Sequence, residues 1–491
     1  MLGHPARLGI LALTATAVLA AQLGITMAGG PEKAIFERGV LDVSIDGPTS
    51  LTFGPDGRLY VASQSEILAV TLDLTTHDVL DIEQLAVGIE GVLGIAFDHT
   101  ASPEAPLKLY TSRQEPDGVP GYWGRVTTFT APDWVREDVI KDLPSSAPLL
   151  NHMTNGLAFD NDGRLFIAQG SNTEAGLIGS PEEYYPESPL SAAILVADVN
   201  DPTFDGALQY NPPGQPVDHN VDLIFGDVEV FSPGHRNPYD LVFHSNGSLY
   251  ATDNGALGQR GAADCEGGTI ETSVSDELNL VEEGNYYGFP NLNRGRSDPR
   301  QCTYHAPQEG STNGYTGPIE ILPRHCSCDG IAEYQGLALG GAMNGDLIIA
   351  RFIRDDIARV QLSEDGRSVL EITAIAENFD MPLDVTVGPD GTIYVAEFGG
   401  DIVSYLAPIP SPATPTPNDS DTPIPTPTPV RPDGDANCDG STDSIDAALV
   451  LQSTAGLIAG VGCPDLADVN GDGEINAIDA ALILQIDAGL L

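Results

Sequence analysis

One pattern recurs six times along most of the chain, and it leaves few folds open. "PTSLTFGPDGRLYVASQSEILAVTLD" begins at Pro48, "VLGIAFDHTASPEAPLKLYTSRQ" at Val92 and "TNGLAFDNDGRLFIAQGS" at Thr154. "YDLVFHSNGSLYATDNG" begins at Tyr239, "GLALGGAMNGDLIIARFIRDDIARVQL" at Gly336 and "PLDVTVGPDGTIYVAEFGGDIVSYLAP" at Pro382. Each is an apolar run, a turn such as Pro-Asp-Gly or Asn-Gly, then a second run rich in Leu, Ile, Tyr and Val. That is the local chemistry of a β-hairpin. Helical periodicity is nearly absent here. Six such units predict a mainly β fold, a six-bladed β-propeller of four-stranded blades over 40–407. A sandwich or an array of small β domains is the alternative, kept open by the uneven spacing of the units.

From Pro408 to Pro432 the chain reads "PIPSPATPTPNDSDTPIPTPTPVRP". Such proline density excludes helix and sheet interiors and predicts an extended, semi-rigid spacer over 408–432. Beyond it, "DANCDGSTDSID" at Asp435 and "DVNGDGEINAID" at Asp468 place side-chain oxygens at loop positions one, three, five, nine and twelve, with glycine at six. Calcium needs several oxygens converging on one centre, and the glycine permits the sharp turn. The predicted ligands are Asp435, Asn437, Asp439, Asp443 and Asp446, then Asp468, Asn470, Asp472, Asn476 and Asp479. Ser441 and Glu474 would add backbone carbonyls. The apolar stretches "AALVLQSTAGLI" and "AALILQIDAGLL" follow as short helices. The whole of 433–491 thus reads as a small α-helical calcium-loop domain.

At the amino terminus, Arg7 precedes the apolar stretch Leu8 to Ala20, with small-residue cleavage sites at Val18-Leu19-Ala20 or Thr26-Met27-Ala28. This predicts a secretory signal over 1–28 rather than a membrane span, for which the stretch is short. Export to an oxidising compartment lets the six cysteines pair. Cys438 and Cys463 are expected to bridge within the C-terminal region, while Cys265, Cys302, Cys326 and Cys328 leave three connectivities. The Cys326-Ser327-Cys328 spacing also suits a metal. A formal net charge of −50 disfavours nucleic acid and anionic membranes, and it suits calcium.

The C-terminal region resembles a type I dockerin, the duplicated calcium-loop module that binds cohesin domains. Position twelve is aspartate, as in that family, rather than the glutamate of an EF-hand. The family's partner-recognition positions, ten and eleven, read Ser444-Ile445 and Ala477-Ile478, where its best-known pattern has hydroxyl side chains.

The propeller region carries "EGVLGIAFD" from Glu90, "NHMTNGLAFDNDGRLFIAQG" from Asn151, "GHRNPYDLVF" from Gly234 and "SDELNLVEEGNYYGFPN" from Ser275. With these motifs it resembles the glucose/sorbosone dehydrogenases, six-bladed propellers whose catalytic members use pyrroloquinoline quinone (PQQ) with calcium. The resemblance implies His152 as general base at the channel mouth, and Arg236 as a cofactor contact that also serves catalysis. It implies Asn237 and Glu90 beside the cofactor, and carbonyls at Gly255 and Ala256 facing calcium. The chemistry suits those residue types. A quinone with three carboxylates needs arginine's bidentate donors, and a near-neutral imidazole can take a sugar hydroxyl proton. Equally, Arg236 could be a salt bridge and His152 a loop residue capping a blade.

Several positions depart from the family. Its lysine aligns with Ile353 and two of its arginines with Met381 and Leu383, and no lysine occurs beyond Lys141. Arg351 and Arg354 are the nearby replacements. The carboxylate that orients the histidine aligns with Ser171. Two function classes follow: a secreted quinone-dependent dehydrogenase of an aldose or polysaccharide-derived sugar, and a non-catalytic propeller binding glycan or protein. Either would be displayed through the dockerin. A calcium-dependent lactonase-type propeller would need channel carboxylates, for which Glu66, Glu90 and Asp253 are the sequence candidates.

Overall fold

The computed structural model describes residues 36–116, 122–144, 152–176, 186–211, 222–257, 273–307, 310, 314–336, 338–409, 434–438, 441–455, 458, 460–470 and 475–487. The expected signal segment 1–28 and most of the proline-rich spacer lie outside them. Contacts divide the chain into two compact units, Met1–Pro412 and Ala413–Leu491.

The first unit is built from six four-stranded antiparallel sheets. Blade I comprises Pro48–Phe53, Leu59–Ser63, Glu66–Leu72 and Val79–Val87. Blade II comprises Gly94–Phe97, Lys108–Pro116, Tyr122–Thr130 and Val135–Leu143. Blade III comprises Thr154–Phe159, Leu165–Gln169, Ala193–Ala197 and Glu229–Pro233, with a small hairpin, Leu208–Asn211 and Asp222–Gly226, inserted before its last strand. Blade IV comprises Pro238–Phe243, Leu249–Asp253, Glu277–Val281 and Glu320–Ile321. Blade V comprises Cys328–Glu333, Leu347–Arg351, Asp356–Leu362 and Val369–Glu377. Blade VI takes Pro382–Val387, Ile393–Glu397 and Ile402–Pro408, and its outermost strand is the N-terminal Phe36–Val40. That strand pairs from Phe36↔Pro408 to Val40↔Ser404 and closes the ring. Closure leaves no long open sheet edge at the joint between the two ends of the propeller.

The mainly β, six-bladed propeller expected from the hairpin pattern is the observed fold. The second strands of blades I, III, IV, V and VI are buried at every residue, because neighbouring blades cover both of their faces. They therefore read as continuous apolar runs rather than alternating ones. The turns use the expected chemistry: at Pro55-Asp56-Gly57 the glycine adopts φ +77° and Asp56 accepts the Arg58 N–H. One unit differs. The fifth, expected to open at Gly336, opens eight residues earlier at Cys328, and Ala338–Gly341 forms a 3-10 turn instead of an inner strand. The inner strand was masked by its own composition, since Cys-Asp-Gly-Ile-Ala-Glu carries little apolar signal.

The six inner strands line a central cavity of about 300 Å³, into which Asp240 and Asp384 project. Each carboxylate fastens its blade to the next. Asp240 accepts the Ile331 N–H at 3.0 Å, and Asp384 accepts those of Leu51 at 2.7 Å and Val385 at 2.7 Å. Gly156 and Gly330 make the room, for a Cβ there would overlap a carboxylate oxygen of Asp240 or of Asp384, respectively. Burial pushes the Asp384 carboxyl up to about 7 and Asp240 well above the ordinary range.

The second unit folds around Ala436, Ala447, Val450, Ala467, Ala480 and Ile483, stapled by the expected Cys438–Cys463 disulfide. Helix Ser444–Thr454 starts from Asp443, which caps the Ile445 N–H while Asp446 accepts the Asp443 N–H, a reciprocal capping box. Helix Ala477–Asp487 repeats the device with Asn476 and Asp479. Among the described residues no helix is long and apolar enough to cross a membrane.

Candidate active site

The start of blade III's inner strand brings in His152, which is 4% exposed. Its Nδ1 lies 3.0 Å from the Ser171 Oγ, and that hydroxyl lies 2.6 Å from the Thr173 carbonyl. A carbonyl only accepts, so the single serine hydrogen is spent on Thr173. Nδ1 must then donate to Ser171, which leaves Nε2 with a free lone pair. Burial first, and the Arg236 charge second, push the imidazole well below its ordinary pKa, against weaker opposition from the Ser171 and Thr173 backbone. His152 is held as the neutral imidazole. Ser171 orients it where the family's pattern has a carboxylate.

Blade IV supplies Arg236 and Asn237 from the loop ahead of its inner strand. The Ser171 N–H donates to the Arg236 carbonyl at 2.7 Å, which ties this loop to the histidine's support. Each nitrogen of the Arg236 guanidinium makes one bond: Nη2 with Glu174 Oε1 at 2.6 Å, Nε with the Glu174 carbonyl at 3.2 Å, and Nη1 with the Asn254 carbonyl at 2.9 Å. Asp253 holds the loop by accepting the Arg236 N–H at 3.0 Å and the Asn237 N–H at 2.7 Å. Asn237 Oδ1 accepts from Asn155 at 2.9 Å. Opposite charges are thus matched in a buried place, where an unpaired one would be costly.

Beside Arg236 a void of about 10 Å³, room for one water, is lined by Asp253, Asn254, Gly255, Glu277 and Tyr304. The Asn254 Oδ1 is buried there without a hydrogen-bond partner. Burial first and Asp253 second hold the Glu277 carboxyl well above its ordinary range. The Gly255 N–H is held by Asp276 at 2.9 Å, and the Ala256 carbonyl accepts the Val274 N–H at 2.8 Å. This carboxylate- and carbonyl-rich wall is a donor set suited to a hard cation.

The remaining expected residues are placed as follows. Arg351 is locked in a bidentate pair with Asp356 at 2.5 and 2.6 Å, and Arg354 lies at the surface, 3.8 Å from the same carboxylate. Glu66 lies on blade I's third strand and Glu90 in the loop after that blade, and neither is in the lining of the central cavity; the carboxylate residues in that lining are Asp240, Glu333 and Asp384. Ile353 is 61% and Met381 42% exposed, while Leu383 is buried. Cys326 and Cys328 are joined to each other, so their sulfurs are not a metal's ligands, and Cys302 is disulfide-bonded as well. In the second unit Asp446 and Asp479 are fully buried, each accepting N–H groups of its own loop, from Asn437 and Asp443 and from Val469, Asn470 and Asn476. Asp439, Asp472 and Glu474 lie outside the described residues. Asp435, Asn437, Ser441, Asp443, Asp468, Asn470 and Asn476 lie in the two loops as expected. Sequence reasoning missed Glu174 and Thr173; "SNTEAG" after an apolar strand was the signal, a polar turn too rich in donors and acceptors to be a plain connection.

A quinone bearing three carboxylates fits this site along one wall. There Arg236 and Asn237 offer donors, and the Asn254–Ala256 segment offers oxygens for a cation. At Ile353, Met381 and Leu383, where the family's pattern has a lysine and two arginines, the chain supplies no charge.

The site combines a buried neutral imidazole with a paired arginine in a six-bladed propeller, and comparison with known proteins gives the family. The Glucose / Sorbosone dehydrogenase family model matches residues 45–403, and the chain belongs to that family. The Dockerin type I domain model matches residues 433–485. Quinoprotein glucose dehydrogenase B of Acinetobacter calcoaceticus is 25% identical over 277 residues, 52% of this chain and 53% of that protein. An uncharacterized Synechocystis protein is 24% identical over 269 residues, 54% of this chain and 57% of its own. The chain spans about half the length of these curated relatives. Among solved structures, a glucose dehydrogenase-type oxidoreductase of Thermus thermophilus superposes with a TM-score of 0.53 at 22% identity, covering 76% of this chain and 99% of its own. The soluble aldose sugar dehydrogenase of Escherichia coli, in its apo form, gives 0.52 at 18% identity, covering 76% and 100%. These likenesses support the fold.

Proposed function

We propose that the chain is a secreted oxidoreductase that oxidises a sugar hydroxyl, docked through its dockerin onto a cohesin-bearing partner. The observation that carries the reading is the His152–Ser171–Thr173 relay, which leaves Nε2 unprotonated beside the family's cofactor loop. His152 Nε2 takes the hydroxyl proton as hydride leaves the same carbon. Arg236 and Asn237 would hold PQQ, with calcium at the Gly255 and Ala256 carbonyls; when bound, the quinone accepts the hydride and calcium polarises it. Burial keeps the imidazole neutral, so it can act as a base at and below neutral pH. Dockerin positions ten and eleven are open to a partner: Ile445 and Ile478 are each 57% exposed.

A second reading, a propeller that binds glycan without oxidising it, is favoured by one observation. Ile353, Met381 and Leu383, at positions where the family's pattern has cations, lack the charges a tricarboxylate needs. One experiment separates the two. Protein reconstituted with PQQ and calcium is assayed by dye reduction across a panel of aldoses and oligosaccharides, beside His152→Ala. Sugar-dependent reduction lost in the variant supports oxidation. Sugar binding by calorimetry without any reduction supports the binder. Ile353→Lys should strengthen PQQ binding, measured by titration, if the quinone occupies this mouth.

A further inference from the structure

Glu187 is fully buried, and nothing in the motifs singled it out. Its Oε1 accepts the Thr173 N–H at 2.9 Å and the Thr173 hydroxyl at 2.6 Å. Its Oε2 accepts the Asn172 N–H at 3.1 Å and the Ser191 hydroxyl at 2.5 Å. Four donors fill the acceptor sites of one carboxylate, so the side chain works as an acceptor only. Burial raises its pKa, and those donors and the charge of the half-buried Arg294 oppose the rise without cancelling it. Arg294 in turn donates to the carbonyls of Pro189 at 2.9 Å and Ala192 at 2.8 Å, and Asn291 to that of Ser188 at 2.9 Å. The anchor is itself anchored.

The segment it grips is the one that matters to His152. Thr173 is held by both its N–H and its hydroxyl, which also accepts the Gly176 N–H at 2.8 Å. Its carbonyl is thereby fixed 2.6 Å from the Ser171 Oγ. The next residue, Glu174, pairs with Arg236. We propose that Glu187 is a positioning residue that sets the tautomer of His152 by aiming the Thr173 carbonyl at Ser171. Without that acceptor the serine hydrogen can turn to Nδ1, and the imidazole proton moves to Nε2, where a base is needed. The inference rests on the reading of His152 as the base, and its test is made on the imidazole itself.

The test is nitrogen NMR of the full chain, with the His152 signals assigned by their loss in His152→Asn. The charged groups acting on that imidazole are Arg236 and, through it, Glu174, and both stay in place in every variant used. The wild type should show one tautomer, Nδ1–H, at neutral pH and still at the ordinary histidine value of about 6.5. In Glu187→Gln the amide must face the N–H of either Asn172 or Thr173, so the segment loosens. Both tautomers should then be present, with titration nearer the ordinary value of about 6.5. In the reconstituted enzyme kcat should fall at least about tenfold, within the roughly 10²–10⁴-fold worth of a positioned base, with KM little changed. Should the Gln variant not fold, Thr173→Val removes one donor to Glu187 and leaves both backbone contacts, and it should mix the tautomers less completely. A folded variant with the wild-type tautomer overturns the proposal whatever its activity. A tautomer shift in a protein that oxidises no sugar overturns the function and leaves the positioning role standing.

Discussion

Arg236 Nη2 stands 2.6 Å from Glu174 Oε1, and both side chains are more than nine-tenths buried. The cation that the 235–237 loop presents is therefore paired with the chain's own carboxylate. Arg236→Leu should cost about 3–5 kcal/mol of stability, because it strands a buried charge. The double replacement Arg236→Leu with Glu174→Leu should recover most of that loss. Urea unfolding followed by Trp123 and Trp134 fluorescence measures it, since the dockerin contains no tryptophan. A loss of under about 1 kcal/mol, the value of an exposed pair, would contradict the buried geometry.

His152 should govern the acid side of any activity. Its pKa is depressed by burial and by Arg236, so the neutral base persists as pH falls past the ordinary value and is lost only below it. The acid limb of kcat/KM is expected below pH 6.5, the unperturbed histidine value of about 6.5 being its upper bound. Neutralising Arg236 by Arg236→Gln should move that limb upward. A limb at or above the ordinary value in the wild type would contradict the buried, neutral imidazole.

Asp384 joins the last blade to the first. Asp384→Ala leaves the N–H groups of Leu51 and Val385 without an acceptor, and each such buried group costs about 1–3 kcal/mol. Burial holds its carboxyl at about 7, above the ordinary 3.8. A carboxyl raised in the fold supports it fully below its unfolded pKa, and the support is lost as pH rises through the folded value. Between about pH 4 and pH 7 the wild type should lose stability that Asp384→Asn does not lose, as read by calorimetric melting. Parallel profiles for the two proteins would refute this.

In the dockerin, Asp446 and Asp479 are fully buried at position twelve of each loop. Calcium that binds only the folded loops stabilises them by mass action. For the module expressed from Pro432 onward, chelation should remove the helical circular dichroism. Asp446→Ala and Asp479→Ala should each weaken calcium retention. Unchanged spectra and melting in chelator would show that the Cys438–Cys463 bridge and the small apolar core suffice without metal.

The sequence by itself determined whatever is encoded in short windows. Turn dipeptides and apolar runs announced the hairpins, and the oxygen spacing of the two loops announced the dockerin. The motifs around His152 and Arg236 announced the family. The tertiary structure decided the rest, because those partners lie far apart in the chain. Phe36–Val40 finds its place only when the ring closes on Ile402–Pro408. Asp384 meets Leu51 across 333 residues, and Arg236 meets Glu174 across 62. Arg351, a cation near the expected cofactor wall, spends its charge on Asp356, a choice made by strand pairing in blade V. Glu187 acquires its role only because the fold buries it under the 172–173 backbone. Local propensity is a property of neighbours along the chain. Pairing of buried charge and acceptor is a property of neighbours in space, and only closure of the propeller creates those.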